Sequence, residues 1–95
     1  MAYNLFISYE LKKKDGEVRD HKPVMKAIKQ QGSWAHDGFF FFYVHTERTP
    51  QEVFAAVGAS LRDDDRLVVI DAKQAVGGGV KEKVWNFITS EWIKP

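Results

Sequence analysis

Polar and apolar positions alternate along residues 3–10, so Tyr3, Leu5, Ile7 and Tyr9 share one face of a strand. Asn4, Phe6, Ser8 and Glu10 take the other face. A polar stretch follows, and then Val24, Met25, Ala27 and Ile28 mark the buried stripe of a helix. Asp20 is placed to cap that helix, Pro23 is tolerated in its first turn and Gly32 stops it. Ser33-Trp34-Ala35-His36 predicts a short strand leading into Asp37-Gly38, a hairpin signal. The run Phe39-Phe40-Phe41-Phe42-Tyr43-Val44-His45 behind it predicts a strand, because aromatic side chains suit a pleated surface. Phe39, Phe41, Tyr43 and His45 then point one way, and Phe40, Phe42, Val44 and Thr46 the other.

Thr49-Pro50-Gln51-Glu52 is a capping box with proline at the first helical position. Val53, Phe54, Val57 and Leu61 give the second helix its apolar face. Arg66 to Asp71 predicts a buried strand after the turn Arg62-Asp63-Asp64-Asp65. The order strand, helix, strand, strand, helix, strand predicts an α+β, ferredoxin-like βαββαβ sandwich: an antiparallel sheet with both helices on one face. The fourth strand is expected beside the first, and the third on the first strand's other side, running parallel to it. Residues 1–76 form this domain, and residues 77–95 a C-terminal extension docking on the sheet or on a partner subunit. Val80, Val84, Ile88 and Trp92 recur every fourth residue and favour a helix there. A fifth strand is the alternative, since Trp85, Phe87 and Ile93 would share a strand face.

The aromatic strand is apolar on both sides, and two helices cover only one face of a sheet. The bare face therefore calls for a partner, most simply an identical copy. Phe6, Phe40, Phe42 and Val44 are the expected dimer interface. Composition narrows the field without naming a chemistry. Charged residues at 28% and apolar residues at 44% are ordinary for a folded domain. The net charge of +1 argues neither for nor against a local basic patch. With no cysteine there is neither a disulfide nor a thiolate site, which suits a cytoplasmic location. No apolar run has the length of a membrane span, and no signal-peptide pattern is visible at the start.

Four segments together resemble one group of small proteins: Ser8-Tyr9-Glu10-Leu11, Gly32-Ser33-Trp34-Ala35-His36, Tyr43-Val44-His45-Thr46 and Asp64-Asp65-Arg66-Leu67-Val68-Val69-Ile70-Asp71. These are the SinR-like proteins, relatives of the CRISPR-associated protein two family and of VapD-like ribonucleases. The resemblance spans roughly residues 3 to 72. It implies a ferredoxin-like homodimer that packs sheet to sheet, and in some relatives metal-dependent nuclease activity. Where that family carries aspartate at the end of the first strand, this chain has Glu10, whose longer arm displaces the oxygens that octahedral magnesium requires.

On the expected topology Glu10 and His45 come near Asp65. Glu10 and Asp65 would hold magnesium or manganese, and His45 would shuttle a proton to activate water on a phosphodiester. The simpler alternative pairs Glu10 with Arg66 and leaves Asp63 to Asp65 as turn residues. Lys12, Lys13, Lys14, Arg19, Lys26 and Lys29 are the candidates for sequence-independent phosphate contacts. His21 and His36 lack ligand spacing to a second histidine, and Gly77-Gly78-Gly79-Val80-Lys81 lacks the ending of a phosphate loop. The expectation is thus a non-enzymatic homodimeric interaction module that binds a protein partner or contacts nucleic acid through basic loops. The alternative is a divalent-metal-dependent endonuclease with paired Glu10 at the dimer axis.

Overall fold

A computed structural model describes residues 2–38, 41–74 and 76–92 of the 95-residue chain. The elements in order are β1 (Tyr3–Glu10), α1 (Lys22–Lys29), β2 (Ser33–Asp37), β3 (Phe41–Thr46), α2 (Pro50–Gly58), β4 (Arg66–Asp71) and α3 (Glu82–Phe87). A single wide π turn, Ile88–Trp92, continues α3. The four strands form one antiparallel sheet in the order β2-β3-β1-β4, an α+β arrangement compatible with a ferredoxin-like sandwich.

One expected relation is corrected. β3 runs antiparallel to β1, with Tyr3 opposite Thr46 and Ser8 opposite Phe41. The reason is topological. The α1 crossover returns β2 parallel to β1, the hairpin reverses the chain, and β3 slots between them opposed to both. At the hairpin Asp37 is opposite Phe41, and Gly38 has the positive φ (66°) that the Asp-Gly signal calls for. Phe39 and Phe40 fall outside the described residues.

Each face of the sheet has its own core. On one, Leu5, Ile7, Tyr9, Phe42 and Val44 are buried under Val24 and Ile28 of α1 and Val53 and Val57 of α2. Full burial of such side chains stabilises by about 1.5–3 kcal/mol each. The α2 capping box closes as its sequence predicts: Thr49 Oγ1 accepts from the Glu52 backbone N–H, and Glu52 Oε1 accepts from the Thr49 N–H. α1 is capped differently from expectation. His21 occupies the cap position, and Asp20 one residue earlier accepts the Lys22 N–H at 3.0 Å. Gly32 serves a close backbone approach rather than a helix stop, because a Cβ there would collide with the His45 carbonyl oxygen.

The second face is roofed in part by the chain's own C-terminal segment. Val84, Ile88 and Trp92 are buried against Ala35, with Phe6, Tyr43 and Ala72 packed around them. Helix, not a fifth strand, is the form of residues 82–87. The four-residue spacing overshoots an α turn by about 40° and falls short of the wider π turn. One turn of each lets the two drifts offset, which holds Val84, Ile88 and Trp92 on one side. The Trp92 indole then donates to the Leu5 carbonyl at 3.0 Å and pins the segment to β1.

Candidate functional site

Glu10 ends β1, exposed, opposite Arg66 at the start of β4. The register is the one the simpler reading needs, but among the described residues no ion pair joins the two side chains. The rest of the expected metal site does not assemble. Asp65 has no exposed side-chain surface, and four donors take its two oxygens. Arg19 reaches Oδ1 at 2.8 Å and Oδ2 at 2.7 Å; the Lys12 N–H reaches Oδ1 and the Arg62 N–H reaches Oδ2, both at 2.8 Å. A carboxylate offers about four lone-pair directions, so none is left for a cation. The Arg19 guanidinium holds the Asp65 carboxyl far below its ordinary range, with the two backbone donors adding to the effect against the opposing pull of burial.

His45 lies at the other end of the sheet. It pairs with Asn4, six residues from Glu10, which at about 3.3 Å per residue puts roughly 20 Å between them. Its Nδ1 donates to Asn4 Oδ1 at 2.8 Å. The expectation that His45 joins Glu10 is therefore corrected, for the same reason as the sense of β3. Among the described residues no group of three or more His, Asp or Glu side chains is placed to hold a metal ion.

The basic residues separate into two kinds. Lys12, Lys13 and Lys14 are exposed on a loop that Asp65 anchors and a Gly16 turn (φ 74°) closes. Arg19 is consumed within that anchor, donating also to the Lys12 carbonyl at 2.6 Å, and its side chain is only 8% exposed. It is a structural cation and not a phosphate contact. In the same knot Arg62 bonds Glu17 at 2.8 Å, which lowers the Glu17 carboxyl from its usual value. Lys26 stands exposed in the last turn of α1, while the Lys29 ammonium sits 4.4 Å from the centre of the Trp34 ring.

The expected interface is redistributed. Phe42 and Val44 have no exposed surface and lie under the helices, so they are unavailable to a second copy. Phe6 is on the opposite face, because Phe6 pairs with Tyr43 while Ile7 pairs with Phe42. Phe40 lies outside the described residues. What α3 and its π turn leave uncovered on the second face is a strip over β3, β1 and β4. Phe41 is 43% exposed and stacks on Phe6 with ring centres 5.7 Å apart; Ile70 is 49% exposed, and Val68 lies between Ile70 and Arg66 on that face. Ser8, Glu10 and Arg66 border the strip. Sequence reasoning missed Phe41, Val68 and Ile70 as lining this face; the β1–β3 register puts Phe41 there, and the β1–β4 register puts Val68 and Ile70 there.

No protein-family model matches the chain, and no curated protein or solved structure matches it. Among the described residues no helix is long and apolar enough to cross a membrane.

Proposed function

We propose that this chain is a non-enzymatic interaction module that works as a homodimer, two sheets meeting over the strip of Phe41, Val68 and Ile70. The observation that carries the reading is the uneven roof: among the described residues, Val84, Ile88 and Trp92 bury one half of the second sheet face, while Phe41 and Ile70 on the other half stay 43% and 49% exposed. A monomer gains nothing from exposing them, whereas an identical surface would bury them. Glu10 and Arg66 at one end of the strip supply opposite charges that a twofold axis can bring together across the interface. Lys12, Lys13 and Lys14, doubled in the dimer, are the surface left for an anionic partner such as nucleic acid.

The metal-dependent nuclease is the weaker reading, since Asp65 is committed to Arg19 and His45 is remote from Glu10. Sedimentation velocity from low to high micromolar concentration tests the proposal. The expected result is a reversible dimer that Ile70→Asp dissociates without unfolding the subunit. A wild-type chain that stays monomeric throughout that range refutes it.

A further inference from the structure

We propose that β2 and α3 form a docking groove for an extended acidic peptide, which adds to the sheet as an outer strand. This does not rest on the homodimer, because β2 and β4 are opposite edges of the sheet. β2 is bonded on one side only, and among the described residues no further backbone hydrogen bond reaches residues 33–37. Its outer side therefore presents the alternating donors and acceptors that a peptide backbone completes.

The edge opens onto a cavity of about 370 Å³ lined by Trp34, Ala35, His36, Lys83, Val84 and Phe87. That is room for side chains, not merely a crease. Strands lie about 4.8 Å apart, so alternate residues of an added strand would enter between β2 and α3. There Ala35, Val84 and Phe87 make an apolar wall. The remaining residues would lie toward Trp34, which is 41% exposed although it is one of the largest side chains in the chain.

Charge selects the occupant. Among the described residues Lys83 is the only fully charged side chain lining the groove, and Lys29 is held over the Trp34 ring nearby. Two acids adjoin the groove residues in sequence, Asp37 after His36, beside the Tyr43 hydroxyl, and Glu82 before Lys83; neither lines the cavity. A second copy of β2 fits less well, since Ser33–Asp37 brings a single acid at its end. A nucleic-acid strand fits less well too, because it offers no backbone match to a sheet edge.

The test uses the full chain and a short fluorescent peptide alternating glutamate with valine. The comparison probes are its lysine counterpart and oligothymidylate, with binding read by anisotropy and the site by amide hydrogen exchange. Saturable binding of the acidic peptide is expected, with alternate amides of residues 33–37 protected and those of β4 unchanged. Lys83→Glu should weaken it on the order of tenfold, as for one charge pair at an interface. Lys81→Glu, just before α3 and outside the groove, should change it less than twofold. Lys83 is exposed, so matching melting curves confirm that both variants are folded. Four results would overturn the proposal: no saturable binding, equal loss from Lys81→Glu and Lys83→Glu, preference for the basic peptide or oligothymidylate, or protection at β4 instead of β2.

Discussion

Replacing Asp65 with alanine tests the knot that joins the β1–α1 loop to the start of β4. The carboxylate has no exposed side-chain surface and takes four hydrogen bonds, two of them from Arg19. Alanine would leave the guanidinium facing an apolar methyl, with the Lys12 and Arg62 backbone N–H groups unpaired. Removing one member of a buried pair costs about 3–5 kcal/mol. Water can reach a side chain that is 8% exposed, as Arg19 is, so the lower end applies: about 3 kcal/mol. At about 5 °C per kcal/mol for a chain of this length, the melting temperature should fall by about 15 °C.

The control is Asp64→Ala, an exposed neighbour whose loss should stay within about 0.5 kcal/mol. The pH dependence follows from the direction of the shift. Asp65 is held below its ordinary range in the folded chain, so its contribution is complete above the unfolded value near about 4. It drains away as the pH falls below that value. In urea titrations from pH 7 to pH 2 the gap between wild type and Asp65→Ala should therefore hold down to about pH 4 and narrow from there to pH 2. If the two aspartates cost the same at pH 7, or the gap persists unchanged to pH 2, Asp65 does not anchor the loop.

Two further substitutions test the second face and the close approach at Gly32. Trp92→Phe removes the donor to the Leu5 carbonyl and should cost about 1–2 kcal/mol, whereas Trp92→Ala also empties the roof and should cost about 3–5 kcal/mol; equal urea midpoints for wild type and Trp92→Ala would mean that the segment is not docked. Gly32→Ala drives a Cβ into the His45 carbonyl and should lose about 2 kcal/mol, against no loss for Gly78→Ala, which meets nothing within 4 Å; thermal melts of the pair check it.

Much of the architecture is legible in local pattern. Residues 3–10 alternate, and a strand with one face buried admits a single phase, so Leu5, Ile7 and Tyr9 had to face the helices. Thr49 to Glu52 carries its own cap chemistry, and the fourfold spacing of Val84, Ile88 and Trp92 reports one helical face wherever that face docks. The candidate site was not legible in the same way. Placing Glu10, His45 and Asp65 together required the sense of one strand beside another, and one reversed strand separates two of them by about 20 Å. The third, Asp65, reads as a turn residue or a ligand until Arg19, 46 positions away, is seen on both its oxygens.

Periodicity, capping and composition depend on residues within a few positions of each other, and the chain by itself determined the elements, their amphipathic faces and the α+β class. Which side of the sheet the last helix covers depends on contacts between residues far apart in sequence, as do the donors that fill Asp65 and the aromatic residues left in water. Such contacts are decided by packing free energy over the whole domain, and only the tertiary structure records the outcome.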